Sequence, residues 1–376
     1  MTPDQAIWIA TGAAAILINH TRKFFVHPAG GVGRRGDARL VDIDSARGLA
    51  IFAVMGIHAL YLAAWQPGLD TPEWTIATLV NNSMRFAVPA FIFLSGFCLG
   101  TIGPGRGGWS GFYWRKAVRI FAPYAVISAA IVLLGVDGVG PNRHDRGEEG
   151  VAYLVGALLT GGASLPYYFI IVLGQLYVFY PVLCGAAKSH PAVTAVVSLL
   201  LSAAGTLFLD IEGGGFPLFL PYIFPFVLGM LVSGRGLNRE PIRPWLALVS
   251  VYAFANILVA GGLLAGVAGV DTSGWYTYNS QYFYSIAVVV LAVRFSGGVR
   301  WCRTFLAPMG KLSLWIFLLH YPIQVQLWKY MPTGDSKQAL LSALLLWAAS
   351  GGVALVVSCA WENRVMKRGM RGGSSL

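Results

Sequence analysis

The chain has 376 residues, of which 56% are hydrophobic and 11% charged, with a mean hydropathy of +0.64 and a formal net charge of +11. A soluble domain carries about 25% charged residues, so charge this sparse, set among apolar runs of about 20 residues, points to a polytopic α-helical membrane protein. The runs do not alternate, which excludes a transmembrane β-barrel. Basic excess in such a protein collects in cytoplasmic loops, so the positive charge implies no nucleic-acid partner.

In chain order, spans are expected at roughly 6–19, 46–65, 78–100, 117–137, 165–187, 191–209, 216–234, 244–268, 277–296, 304–328 and 338–360. The first is short, and a helix lying in the interface is its alternative reading. Residues 151–162 are apolar but too short to span and read as an interfacial or re-entrant piece. The expected fold class is therefore all-α, a polytopic membrane helix bundle of ten core transmembrane helices plus one N-terminal helix. Its parts are an N-terminal helix and basic cytoplasmic linker (1–45), a membrane domain (46–362) and a basic cytoplasmic tail (363–376). No internal repeat, soluble domain or cleavable signal peptide is visible.

The first core span carries Arg47 near its start and His58 eleven residues on, roughly 16 Å apart along a helix. Ionisable side chains in a span are costly and tend to face a cavity or a partner. Alone, each has a plainer reading: Arg47 as a snorkelling anchor, His58 as a packing hydrogen bond. Asp44 either pairs with Arg47 at i,i+3 or caps the helix start. In the next span, Arg85 enters from the opposite side to a depth like that of His58. A Gly-rich loop (103–108) then precedes Trp114-Arg115-Lys116-Ala-Val-Arg119. Arg115 and Arg119 share one helix face, and paired guanidinium groups suit phosphate. The positive-inside rule accounts for arginines there as well.

Further along, Tyr167, Tyr168, Gln175 and Tyr177 form a polar-aromatic stripe. A second, from Trp275 to Tyr284, reads as an aromatic belt at the membrane interface, with a sugar-binding surface lined by its Asn279 and Gln281 as the alternative. The run Gly310 to His320 brings a second deep histidine to the level of His58; of six histidines these two alone lie deep in core spans. His320 also has a plain reading, a core histidine satisfied by backbone. The four cysteines, Cys98, Cys184, Cys302 and Cys359, are far apart and read as small packed residues, with no metal-ligand spacing anywhere.

Charge fixes the expected orientation. With the linker 20–45, the loops near 101–116, 188–190, 235–243 and 297–303 and the C-terminus in the cytoplasm, that side, counted with the adjoining helix ends, holds 21 of the 27 basic residues and the opposite side four. Asp70, Glu73, Glu148, Glu149, Asp210, Glu212 and Asp271 collect opposite. Both ends of the ten-helix core then face the cytoplasm.

Together these residues resemble the acyltransferase-3 family of integral membrane acyltransferases. The likeness begins at Asp44-Ser-Ala-Arg47-Gly-Leu-Ala, with Arg47 and His58 in the family's Arg-x10-His spacing. It continues through Arg85-Phe-Ala-Val-Pro89 to Ser95-Gly96-Phe97, Trp114 to Tyr124, Tyr168 to Tyr177, and Gly310 to His320. The ordered set covers about 40 to 330. The Asp-x-x-Arg-Gly start also resembles a neighbouring membrane N-acetyltransferase group. The family implies transfer of an acyl group, usually acetyl, from cytoplasmic acyl-CoA (acetyl-CoA or another) to a hydroxyl of an extracytoplasmic glycan or lipid-linked saccharide, at a bacterial inner membrane and without a metal. By resemblance His58 is the catalytic residue, grouped with Arg47 and Asp44. Arg47, Arg115 and Arg119, with Lys116, hold the CoA phosphates, and Arg85, His320, Tyr168, Gln175 and Tyr177 face the acceptor. A neutral imidazole either takes the proton of the attacking hydroxyl or carries the acyl group itself; the sequence leaves both open. The rival reading is a glycan or lipid transporter or flippase, against which stands the absence of inverted repeats and broken midplane helices.

Overall fold

The computed structural model describes residues 34–64, 71–136, 151–208, 217–233, 237, 242–260, 281–296 and 299–372. Among these, the chain is helical and contains no strand. The expected helix at 6–19 lies outside the described residues, as do Trp275 to Ser280 of the second aromatic stripe.

Helix α1 (Arg34–Ala64) begins well before the expected span. Residues 37–46 contain neither Pro nor Gly, and extending a helix is far cheaper than nucleating one. The second half of the expected linker is therefore helical, and Asp44 lies inside α1. The capping role considered for Asp44 is corrected on that ground, because only a residue at a helix start can cap it.

The expected span at 78–100 is two helices, α2 (Pro72–Met84) and α3 (Ala87–Ile102). At the start of α2, the Thr71 side chain accepts from the Trp74 N–H at 3.2 Å and Pro72 occupies the first turn. The break at Arg85 and Phe86 has a local cause. Pro89 has no N–H to return to the carbonyl of Arg85, four residues earlier. Next, α4 (Gly108–Lys116) passes through a π-helical segment, Ala117–Phe121, into α5 (Ala122–Leu134). Pro123 again withholds the donor its preceding turn needs, which a π turn accommodates. Gly135, at φ 59°, ends α5 in the left-handed conformation.

There follow α6 (Val151–Thr160), the short piece expected there, and α7 (Tyr168–Ser189). Then come α8 (Pro191–Phe208), α9 (Ile223–Val232), α10 (Ile242–Ala260) and α11 (Gln281–Ser296). The expected span at 304–328 is a π turn, Cys302–Leu306, then α12 (Ala307–Lys311) and α13 (Ser313–Trp328). Helix α14 (Ser336–Gly372) continues through most of the expected tail.

Among the described residues, five segments can cross a membrane by length and composition: Val41–Leu62, Pro72–Ile102, Gly108–Leu134, Leu165–Ser189 and Ser336–Ala360. Other expected spans are shorter apolar helices, at Pro191–Gly205, Leu220–Val232, Ile242–Ile257 and Tyr282–Ser296. Large apolar side chains stand exposed along α7, α8 and α14, among them Val178, Val182, Leu200, Val353 and Val356. Apolar surface on this scale is what a membrane covers.

The chain forms two compact units. One is built on α1, α2, α10, α11, α12 and α14, the other on α4 to α9, with α3 and α13 divided between them. In the first unit α1 is central, packed against α2, α11, α12 and α14. Its spanning window is 61% buried, against 22% for that of α14. Two glycines set the crossing of α1 with the π turn and α12. A Cβ at Gly48 would overlap the carbonyl of Leu306, and one at Gly310 would overlap the carbonyl of Asp44. Backbones that meet this closely gain dispersion contact where lipid supplies no hydrophobic drive. Trp347 donates its Nε1–H to the Phe52 carbonyl at 2.9 Å, tying α14 to α1. Ser296 donates to the buried Asp42 carboxylate at 2.8 Å, tying α11 to it as well. In the second unit α3 and α9 meet in the same way, through Gly96 against the carbonyl of Phe226 and Gly229 against that of Phe93.

Candidate active site

Arg47 and His58 stand on one continuous helix. Eleven residues are close to three turns at 3.6 residues per turn, so both point from the same side of α1. Arg47 Nη1 reaches Asp44 Oδ1 at 3.5 Å, the local i,i+3 pair that the spacing predicts. The pair is partly exposed, and such pairs contribute about 0.2–0.5 kcal/mol. It orients the guanidinium more than it stabilises the helix.

His58 meets His320. Their ring centroids are 5.3 Å apart with the planes inclined at 44°. The middle of α13 and the last third of α1 thus bring the two deep histidines together, as their expected depths imply. His320 is buried, and its Nδ1 lies 2.8 Å from the Phe317 carbonyl and 3.1 Å from that of Ile316. A carbonyl oxygen only accepts, so Nδ1 carries the proton. The lone pair of the neutral ring is then on Nε2, which has no hydrogen-bond partner among the described residues. His320 is therefore satisfied by backbone on one nitrogen and open to a proton on the other.

Arg85 follows the last turn of α2 at the break before α3. Its Nε–H donates to Asn81 Oδ1 at 3.2 Å, and Asn81 Nδ2–H donates to the carbonyl of Ile57 at 2.9 Å. Ile57 immediately precedes His58. Arg85 and His320 both bear electrostatically on His58. Asn81 was absent from the residues that the sequence singles out for chemistry. Its position four residues before Arg85 was the available signal.

The second unit holds the other group of expected site residues. Arg115 donates through Nη1 to the Arg106 carbonyl and through Nη2 to the Pro104 carbonyl, each at 2.5 Å. The loop can turn round the guanidinium because Gly103, Gly105, Gly107 and Gly108 all take positive φ, between 58° and 80°. Arg119 lies in the π segment, near enough for the two guanidinium charges to act on each other. Lys116 Nζ stands 4.1 Å from the centre of the Tyr177 ring, a cation–π contact, and 5.5 Å from that of Phe112. The Tyr177 hydroxyl is 2.9 Å from Ser95 Oγ. Gln175 spans two backbone groups, donating to the Pro217 carbonyl at 2.6 Å and accepting from the Phe219 N–H at 3.1 Å. It staples the chain before α9 to α7. Tyr168 is partly buried at the first turn of α7.

One expectation changes. Tyr282 and Tyr284, read as part of an interfacial aromatic belt, are packed inward. Tyr284 stacks on Tyr252 with centroids 4.0 Å apart and donates its hydroxyl to the Ser83 carbonyl at 2.8 Å. A buried tyrosine needs a partner for its hydroxyl, and the last turn of α2 supplies one.

The family described as "Acyltransferase domain" matches residues 40–361, from α1 into α14. A protein described as "Succinoglycan biosynthesis protein ExoH", from Rhizobium meliloti (strain 1021), is 26% identical over 309 residues, covering 76% of this chain and 79% of that protein. No solved structure matches the chain. The family match contains the Arg47–His58 helix, the Arg85 break, the Arg115 segment and His320 in one span of sequence. On that coverage and its apolar helices, the chain belongs to the acyltransferase-3 family and is a membrane acyltransferase.

Proposed function

We propose that the protein moves an acyl group, acetyl or succinyl, from cytoplasmic acyl-CoA to a hydroxyl of an extracytoplasmic polysaccharide or its lipid-linked precursor. The proposed domain is 46–362, in a bacterial inner membrane with both ends of the core bundle in the cytoplasm. The name of the Rhizobium protein supports a polysaccharide acceptor. The charge distribution of the loops supports the orientation.

The observation that carries the chemistry is the pairing of His58 with His320 at 5.3 Å. His58 acts as general base. It takes the proton of the acceptor hydroxyl as the oxygen attacks the thioester carbonyl; the new ester bond forms, the C–S bond breaks, and the CoA thiolate leaves and takes up a proton. His320, held by Nδ1 to two carbonyls, offers Nε2 as the group through which the proton on His58 is relayed. Arg85 stabilises the negative charge that develops on the carbonyl oxygen. Arg47, on the same side of α1 as His58, is one candidate ligand for a CoA phosphate; Arg115, Lys116 and Arg119 are the candidates in the other unit. Arg115 also shapes the glycine loop through its two carbonyl bonds. Tyr168 is assigned to the acceptor side; the contact of Tyr177 with Lys116 supports a place for that ring beside the phosphate-binding cations, and the two backbone bonds of Gln175 support a structural role.

The test is His58→Ala. Transfer is expected to be lost, with protein level and acyl-CoA binding retained. Normal turnover by that variant would sink the assignment of His58.

A further inference from the structure

We propose that Asn81 is a positioning residue that holds the Arg85 guanidinium beside His58. The inference rests on the reading of His58 and Arg85 as parts of the transfer site. The orientation of the Asn81 amide is settled by its neighbours. The Ile57 carbonyl can only accept, so the amide nitrogen faces it; Arg85 Nε can only donate, so the amide oxygen faces that. Turning the amide over would break both bonds, and no other orientation satisfies the two. One small side chain therefore links the backbone next to His58 to the base of the Arg85 fork.

The location makes that link consequential. Arg85 stands where α2 ends and Pro89 has removed a helical bond, so the local helix does not fix its backbone as it would inside a regular turn. An arginine there has many rotamers, and the bond at Nε narrows them to those that keep the base of the fork against Asn81. The bond to Ile57 ties this constraint to α1, the central helix of its unit. Asn81 touches no reacting atom; its effect passes through Arg85.

The experiment measures kcat and KM for acyl transfer in the full-length protein and in Asn81→Ala, Arg85→Ala and the double variant. Alongside it, the ring-nitrogen signals of His58 are recorded in protein labelled with 15N-histidine. Asn81→Ala is expected to lower kcat about tenfold or more, as loss of a hydrogen bond to a charged group does, with the donor KM unchanged. The double variant is expected to be no worse than Arg85→Ala, because Asn81 acts only through Arg85. The His58 signals are expected to move in Asn81→Ala in the same direction as in Arg85→Ala. Losses that multiply, or a His58 signal moved by Arg85→Ala and untouched by Asn81→Ala, would overturn the proposal. Wild-type protein that transfers no acyl group would refute the proposed function instead, and the His58 signals would still decide the role of Asn81. Asn81→Asp covers the case in which the alanine variant does not fold. It keeps an acceptor for Arg85 and loses the donor to Ile57, and wild-type transfer by it would overturn the anchoring to α1.

Discussion

At the scale of single residues, the hydrogen bonds of His320 separate structure from chemistry. Nδ1 is fixed by the carbonyls of Ile316 and Phe317, while Nε2 is left for a proton. Asparagine places an amide nitrogen near the position of Nδ1 and nothing near Nε2. His320→Asn is therefore expected to keep the backbone contact and a near-normal Tm while lowering transfer about 10²- to 10⁴-fold, the range of general acid–base catalysis. Unaltered turnover would show that His320 is a packing residue and nothing more. The sequence made the pair of deep histidines legible, because each sits at a stated distance from a basic end of its span. It did not make Asn81 legible. A polar residue on a helix of apolar and polar neighbours looks like its surroundings until another helix brings the Ile57 carbonyl to it, beside its local partner Arg85.

At the scale of elements, two reciprocal glycine contacts fix the crossing beside Arg47 and just before the helix that carries His320. Gly48 and Gly310 let α1 and α12 meet backbone to backbone, one residue from Arg47 and three residues before α13 begins. Carbonyl groups in helices cannot step aside as a side-chain end can. Gly48→Ala is expected to destabilise the protein by about 1–3 kcal/mol, the usual cost of overpacking, read as a lower Tm in detergent and loss of transfer together. A stable, active Gly48→Ala would mean that the crossing is looser than the structure has it. The Arg115 segment makes a separate prediction. Arg115→Ala and Arg119→Ala are each expected to raise the acyl-CoA requirement, and Arg115→Ala alone to speed amide hydrogen exchange across residues 103–108. Unchanged donor affinity in both would move the CoA site elsewhere. Apolar run length predicted where helices lie, and it did so well for α5, α7, α8 and α14. It could not predict the breaks at Arg85, Ala117–Phe121 and Leu312, which depend on Pro89, Pro123 and the close crossing of α12 with α1.

At the scale of the whole molecule, the sequence reading of an all-helical membrane protein agrees with helices of membrane-spanning length and exposed apolar side chains. Hydropathy counts apolar residues but does not see 3-10 and π turns, so several expected spans are shorter as helices than as apolar runs. The proposed function stands or falls with the use of acyl-CoA by this family member and with transfer by His58. The most direct measurement is release of CoA thiol from acetyl-CoA and succinyl-CoA by the purified protein with a cell-envelope glycan fraction, together with thermal stabilisation by each donor, in wild type and His58→Ala. Glycan-dependent release is expected from wild type and none from His58→Ala, with donor stabilisation of both. Release by His58→Ala at the wild-type rate, or no stabilisation of folded wild type by either donor at saturation, would contradict the proposed function.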